Sequence, residues 1–412
     1  LSRNDLLIVF RVLPKELSSD VFSYLDNEER QTIIESIGDA EVGRLINDMF
    51  MDDAVDFLEE LPAGVVKRVL KNTDAARRNL INQMLLYPEN SAGSIMTIEF
   101  CELREELLTG EALKVIRETG IDKETIYTAY VIDDQRRLVG TVALRHLIMA
   151  KEDAPVSSLM ETNVISVNTL DDQETVAVTV RKYDLMSIPV VDKEERLVGI
   201  ITVDDIVDVI EAENTEDFEK MGALLPNDDT YLKTSVFRLA LNRLPWLLIL
   251  MVSAMFTGAI ITNFESLLSS TAVGVTLMSC VPMLMDTGGN CGSQASTLAI
   301  RGLALGEIGP KDALKVLWKE VRIGVMIGFA LAVLNFLRLF FLNQTGAAVA
   351  GIVSVSMFLT VLIAKSIGCI LPLLAKRVHL DPALMASPLI TTLVDACSLT
   401  IMFSIASVVL HV

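Results

Sequence analysis

Three ionisable residues lie in sequence apolar enough to make a charge costly: Asp286, Lys365 and Asp395. A charged side chain at the centre of a bilayer costs roughly 2.5–3.5 kcal/mol on insertion scales, so one kept there points to a function that needs it. Asp395 is the strongest candidate. It sits in PLITTLVDACSLTIMF (388–403), where Thr391, Thr392 and Ser398 can share polar contacts and Ala396 lets another helix approach. A carboxylate in that setting is a hard oxygen ligand for a cation. Lys365, at similar depth, can pair with Asp395 or extend its ammonium toward the membrane surface. Asp286 opens the run Asp286-Thr287-Gly288-Gly289-Asn290, which interrupts an apolar stretch. Gly288 and Gly289 would let backbone carbonyls face a cavity, and Asn290 can hydrogen-bond a hydrated ion. Irregular backbone at that depth is tolerated only where it is buried or lines water. Plain helix packing is the other use for the two glycines.

A second constellation lies at 204–220, where Asp204, Asp205, Asp208, Glu211, Glu213, Glu216, Asp217 and Glu219 face a lone Lys220. The segment reads as a helix. Like charges three or four residues apart destabilise a helix unless something neutralises them. A solvated face satisfies the pattern; so does a divalent-cation site, because Mg²⁺ and Ca²⁺ take carboxylate oxygens. Asp52, Asp53, Asp56, Asp171, Asp172 and Glu174 could meet this helix from other segments. EF-hand spacing is absent, so such a site would be assembled from separate pieces. No enzyme reading emerges: there is no P-loop or nucleophile elbow, and His146, His379 and His411 lack metal-ligand spacing.

The elements that must position these groups divide sharply by charge. Residues 236–412 hold 11 Lys and Arg against 7 Asp and Glu, which leaves 24 against 47 of the totals 35 and 54 for residues 1–235. One part is about +4 and the other −23. Such an acidic part disfavours nucleic acid as a partner. The 51% apolar content excludes a disordered acidic chain. Five stretches are long enough to cross a bilayer, near 241–262, 270–299, 321–342, 347–374 and 388–410. Lys and Arg between them cluster after the second and the fourth, which predicts a cytoplasmic N-terminal half and an outside C-terminus. A cell inner (plasma) membrane location is expected. The five cysteines form no CxxC pair and read as small packing residues.

Within the acidic part, VIDDQRRLVGTVALRHLI (131–148) aligns with VVDKEERLVGIITVDDIV (190–207) at an offset of 59. Each copy reads as strand, helix, strand, turn, strand, helix. This resembles a tandem pair of CBS domains, modules that usually dimerise and often sense a ligand. Their nucleotide pockets typically carry Ser or Thr and, three residues on, Asp. The second repeat has Thr202 and Asp205 there, the first Ala143 and His146, so ATP is doubtful in the first pocket, and Asp205 suits a metal or a ribose equally. Residues 1–92 show helix-period patterns broken at Leu13-Pro14, Ile37-Gly38-Asp39, Leu61-Pro62 and Asn72-Thr73-Asp74, which fits short helices stacked as an irregular superhelix.

At PMLMDTGGNCGSQASTLAIRGLALGEI (282–308) and LDPALMASPLITTLVDACSLTIMF (380–403) the chain resembles the MgtE magnesium channels. The expected fold is multidomain: an all-α superhelical N-domain (1–92), an α+β tandem CBS pair (93–209), a connecting helix (210–235) and an all-α transmembrane domain of five helices (236–412). The resemblance implies a homodimer whose second and fifth spans form a Mg²⁺-selective pore. Paired Asp395 carboxylates would hold the hydrated ion, and Gly288, Gly289 and Asn290 would line the path. It also implies closure by cytosolic Mg²⁺ at Asp205, Asp208, Glu213, Glu216 and Asp217 on the helix, Asp172, Glu174 and Asp184 in the second repeat, and Asp53 in the N-domain. Two other readings stand beside it: a transporter of another divalent cation such as Mn²⁺ or Co²⁺, and a membrane-anchored CBS sensor that moves nothing.

Overall fold

The computed structural model describes residues 3–59, 61–227, 231–232, 234–264, 273–385 and 387–411. They form two compact units, Leu1–Glu211 and Ala212–Val412.

The first unit begins with seven short helices: α1 (Arg3–Val12), α2 (Lys15–Ser23), α3 (Asn27–Ser36), α4 (Asp39–Asp48), α5 (Met51–Glu59), α6 (Ala63–Asn72) and α7 (Ala75–Met84). All four breaks expected from sequence lie at helix boundaries. Pro14 and Pro62 occupy N-cap positions, where a missing N–H costs nothing. Asp26 caps α3 by accepting the Glu29 N–H at 3.0 Å. Each helix is too short to be stable alone, and packing of its apolar stripe supplies the difference. Phe22, Ile33, Ile46, Met51, Phe57 and Leu58 are buried, with the Phe22 and Phe57 rings edge-on at 5.0 Å.

The repeat then gives two three-stranded sheets. The first, ordered β1-β2-β3, contains β1 (Phe100–Arg104), β2 (Thr125–Ile132) and β3 (Leu138–Ala143), with α8 (Thr109–Thr119) and α9 (Leu144–Met149). The second, ordered β4-β5-β6, contains β4 (Val167–Asn168), β5 (Ser187–Val191) and β6 (Leu197–Thr202), with α10 (Gln173–Tyr183) and α11 (Val203–Met221). In both, the first pair is parallel and the second antiparallel. The hairpin turns repeat in atomic detail. Asp133 Oδ1 accepts the Gln135 and Arg137 N–H groups, and Asp192 Oδ1 accepts those of Glu194 and Arg196, while Arg136 and Glu195 each adopt φ 62°. A buried bond between Tyr130 Oη and Ser187 Oγ, 2.7 Å long, joins the repeats.

Among the described residues, the connecting segment expected over 210–235 is helical to Met221, and helix resumes only at Val236, with Ser235 as its N-cap. Helix α11 starts as the last helix of the second repeat and runs 19 residues without a break. Its end is set by Ala223 at φ 55°, which lets the Leu224 N–H reach the Glu219 carbonyl at 2.9 Å.

The second unit contains α12 (Val236–Asn263), α13 (Gly274–Ala304), α14 (Ala313–Leu337), α15 (Ala347–Arg377) and α16 (Ser387–Leu410). Among the described residues four helical stretches are long and apolar enough to span a membrane: Val236–Asn263, Pro310–Leu342, Ala347–Arg377 and Pro382–Leu410. Helix α13 has the length, 31 residues, but carries the polar run.

Sequence suggested an interruption at 286–290. Instead α13 is helical throughout, and Gly288 and Gly289 are buried contact points rather than sites of irregular backbone. A Cβ on Gly288 would lie 2.7 Å from Thr360 Cγ2 and 2.8 Å from Val394 Cγ1; one on Gly289 would lie 2.9 Å from Thr391 Cγ2. A Cβ on Gly368 would come within 2.2 Å of the Gly292 carbonyl oxygen. Glycines therefore let α13 sit directly against α15 and α16, the helix that carries Asp395. Cys280, Cys291 and Cys369 fill buried space in the same region.

Candidate ion-binding sites

In the first unit, the first turn of α5 brings Asp52 and Asp53 toward the start of α11. Glu99 fixes this arrangement. Its Oε2 accepts the Met51 N–H at 3.3 Å and the Thr97 hydroxyl at 2.8 Å, and its Oε1 lies 3.5 Å from Arg77 Nη1. The Glu99 carbonyl accepts the Glu124 N–H at 2.8 Å. Asp52, Asp53, Glu124, Asp204 and Asp205 consequently share one electrostatic neighbourhood.

The cost of that crowding is visible in their acidities. Burial, reinforced by the Asp205 carboxylate, raises Asp52 to about 9. Burial and the charges of Asp205, Asp204 and Asp53 raise Glu124 to about 7. Burial also raises Asp205, to about 6, although the Thr202 hydroxyl, 2.5 Å from Asp205 Oδ2, opposes the shift. Asp53 is raised by burial against the influence of Arg30 and Ser23. One oxygen, Glu124 Oε2, is buried without a hydrogen-bond partner. Buried polar atoms are normally satisfied, so this orphan and its crowded neighbours suit a positive species. Among the described residues, however, no three His, Cys, Asp or Glu side chains converge closely enough to hold an ion. Mg²⁺ keeps several waters and needs only one or two direct carboxylates, so the donor chemistry fits a hydrated divalent cation.

In the second unit, Asp286 and Asn290 lie one turn apart on the exposed face of α13, and Asp395 is half-buried on α16. The Asp286 and Asp395 carboxylates feel one another's charge. Lys365 does not form the expected pair with Asp395. Its Nζ lies 3.5 Å from Glu320 Oε2 on α14, with side chains 5% and 10% exposed. Lys365 therefore neither neutralises Asp395 nor extends to the surface.

Comparison with known proteins bears on the whole chain. The family model described as "MgtE intracellular N domain" matches residues 1–90, that described as "CBS domain" matches 156–212, and MgtE, "Divalent cation transporter", matches 281–405. A "Magnesium transporter MgtE" of Thermus thermophilus is 37% identical over 408 residues, covering 98% of this chain and 89% of that one. The Bacillus subtilis protein of the same name is 32% identical over 419 residues, covering 99% and 92%. The chain belongs to the MgtE family. A crystal structure of "the soluble part of a magnesium transporter" is similar at a TM-score of 0.50 and 33% identity, covering 52% of this chain and 84% of that one.

As an MgtE protein the chain distributes its sequence-predicted residues unevenly. Asp53 and Asp205 meet in the acidic neighbourhood. Asp208 is exposed on the same helix. Glu213 and Asp217 lie farther along α11, and Glu216 Oε1 is held at 2.7 Å by Lys220. Burial works against the Lys220 ammonium, but Asp381 and Glu216 outweigh it and raise its pKa. Two of the three second-repeat residues shape the ends of α10, and Glu174 lies in its first turn. Asp172 caps α10 by accepting the Glu174 N–H at 2.9 Å, and Asp184 ends it at φ 51°.

Thr202 and Asp205, expected to bind nucleotide, bond to each other and lie outside a wide cleft of the CBS pair. That cleft, of about 820 Å³, is lined instead by Tyr127, Arg145, His146, Asn163, Asp184 and Met186 among others. It includes the Ala143 and His146 positions judged less suited to a nucleotide. Glu124 was missed because nothing local marks it: it precedes β2 as an ordinary polar loop residue, and only the docking of α5 makes it part of a site.

Proposed function

We propose that this MgtE protein carries Mg²⁺ across a membrane and that Mg²⁺ on the side of its soluble unit closes the path. The observation that carries the first half is Asp395, a half-buried carboxylate on an apolar helix, with Asp286 and Asn290 on the adjoining helix and no Lys365 to neutralise it. The named activity of the Thermus and Bacillus relatives supports the choice of ion. A carboxylate that grips a hydrated ion avoids the full dehydration cost of Mg²⁺, and each site must still release the ion. The open Asp286 and Asn290 face suits a homodimer in which two copies of Asp395 share one ion, as does α12, none of whose described residues is buried. Gly288 and Gly289 contribute by drawing α13, which carries Asp286 and Asn290, onto α15 and α16.

The second half rests on the acidic neighbourhood of Asp52, Asp53, Glu124 and Asp205, with Asp208, Glu213, Glu216 and Asp217 continuing along α11. Without a cation these groups repel or take up protons; with one, the compact arrangement is favoured. That is a population shift, and reversing a 1:99 equilibrium takes about 5.5 kcal/mol of differential binding, which several modest sites can share. The Asp172 carboxylate is already engaged as the cap of α10, which weakens its claim as a ligand. The cleft beside His146 has room for a nucleotide such as ATP, with Arg145 for its phosphates and Tyr127 for stacking. The proposed location is the inner membrane, soluble unit inside.

Complementation tests the reading: the chain restores growth of a Mg²⁺-uptake-deficient strain at low Mg²⁺, and Asp395→Ala does not. Growth unchanged by that substitution would defeat the pore reading. Rescue by Mn²⁺ or Co²⁺ rather than Mg²⁺ would replace the proposed ion.

A further inference from the structure

The outer face of α14 changes character along its length. Lys315, Lys319 and Arg322 are exposed and spaced three or four residues apart, so they share one face, and Lys311 stands in the turn before the helix. Trp318, 63% exposed, lies among them, with the Arg322 guanidinium over its ring at 5.8 Å from the centroid. The face then continues as Val325, Met326 and Phe329, all exposed, and residues 323–337 carry no charged side chain. About 10 Å beyond Arg322, at ~1.5 Å per residue, a groove opens between α14 and α15. Its volume is about 350 Å³, and it is lined by Phe329, Val333, Phe336, Leu337, Val355 and Phe358 among others.

Basic residues in a loop beside a span need no special explanation, because they set its orientation. Orientation does not require a guanidinium about 2.5 turns inside the helix, or an exposed indole beneath it. Lys315 Nζ lies 2.8 Å from Asp312 Oδ1, but with side chains 83% and 35% exposed that pair holds weakly. Among the described residues, Lys319 and Arg322 pair with no carboxylate. Cations beside an indole, followed by an apolar groove on the same helix, match the order of phosphate, glycerol and hydrocarbon in a lipid. Trp favours that interfacial level, and basic clusters there attract anionic headgroups.

We propose that this face of α14 binds an anionic phospholipid, with Lys319 and Arg322 on the phosphate, Trp318 beside the glycerol and one acyl chain in the groove that begins at Phe329. A planar guanidinium can give a phosphate two parallel hydrogen bonds. Its place over the Trp318 ring steadies it while its edge N–H groups stay available. The groove selects hydrocarbon and the cations select negative headgroup charge, which a zwitterionic lipid offsets with its own cation. The inference does not depend on Asp395 or on which ion is carried.

The chain has two tryptophans, Trp246 and Trp318, so Trp246→Phe leaves Trp318 as the sole fluorescent reporter. The full chain with that substitution is placed in vesicles of phosphatidylcholine and phosphatidylglycerol, and bromine is carried on the chains of one lipid or the other. Brominated phosphatidylglycerol should quench Trp318 more strongly than brominated phosphatidylcholine at equal mole fraction. Arg322→Gln and Lys319→Gln should each lower the relative association constant for phosphatidylglycerol about 5-fold, the attraction of one cation near an anionic surface. Lys319→Arg keeps the preference and guards against loss by misfolding. Arg243→Gln, on α12, which packs against α16, also keeps it, because a general attraction to basic loops is not the cause. Equal quenching by the two lipids, or a preference that survives Arg322→Gln with Lys319→Gln, would overturn the site. A preference abolished by soluble glycerol phosphate would overturn the lipid as its occupant.

Discussion

Lys365 Nζ lies 3.5 Å from Glu320 Oε2 between two apolar helices, so the buried ammonium of α15 belongs to α14 and not to Asp395 of α16. Lys365 is thus engaged between α14 and α15 and does not neutralise Asp395. Removing one partner of a buried pair leaves an uncompensated ion, whereas neutralising both leaves no buried charge. Glu320→Gln should therefore destabilise the detergent-solubilised protein by roughly 3–5 kcal/mol, and Glu320→Gln with Lys365→Met by much less. Thermal unfolding of both variants checks the difference. Equal losses would mean that the pair contributes no more than its separate side chains.

The glycines of the second unit give a graded prediction. Gly368→Ala puts a methyl 2.2 Å from the Gly292 carbonyl oxygen, a backbone atom that cannot rotate away, while Gly351 has nothing within 4 Å of an added Cβ. Overpacking typically costs about 1–3 kcal/mol, so Gly368→Ala should fall at or above the top of that range and Gly351→Ala near zero. Denaturant or thermal midpoints in the same detergent decide it.

Much of this architecture was legible in the sequence, and the exceptions share a cause. The helix breaks at Pro14, Gly38 and Pro62 and the 59-residue repeat are local signals, and the chain follows them. The run at 286–290 misled because glycine pairs both break helices and let helices touch, and only the positions of Thr360, Val394 and Thr391 show which applies. Lys365 and Asp395 looked like partners because their depths match, but depth says nothing about which face of α15 meets α14. Asp53 and Asp205 could be named from their acidity; Glu124 and the cap role of Asp172 required the docked structure.

Acidity offers a pH test of the soluble unit. Asp52, Glu124 and Asp205 have folded-state pKa values raised to about 9, 7 and 6. An unfolded carboxylate titrates near ~4, so above that pH the folded arrangement holds more protons than the unfolded one. Stability of that arrangement is thus greatest at low pH and declines as pH rises through these values. A divalent cation competes with the same protons, so its protective effect should grow with pH. Proteolysis of the full chain from pH 5 to 9, with chelator or with millimolar Mg²⁺, measures both trends. Asp52→Asn should flatten the chelator curve. Resistance that rises with pH in chelator would contradict the assignment.

Nucleotide binding follows the cleft rather than the Thr202 and Asp205 pair. With a fluorescent ATP analogue and the full chain, Arg145→Ala should weaken binding by about tenfold, the loss of a charge-assisted phosphate contact. Thr202→Ala should leave it unchanged. The reverse order would return the site to the second repeat's Thr202.

Whether Asp395 holds the transported ion is decided by Mg²⁺ flux into liposomes containing the full chain or its Asp395→Ala and Asp395→Asn variants. Both substitutions should reduce flux to the level of empty vesicles, because neither alanine nor a neutral amide supplies the charge a hydrated divalent ion requires, while Glu320→Gln with Lys365→Met continues to conduct. Flux through Asp395→Ala equal to that of the unmodified chain would contradict the account.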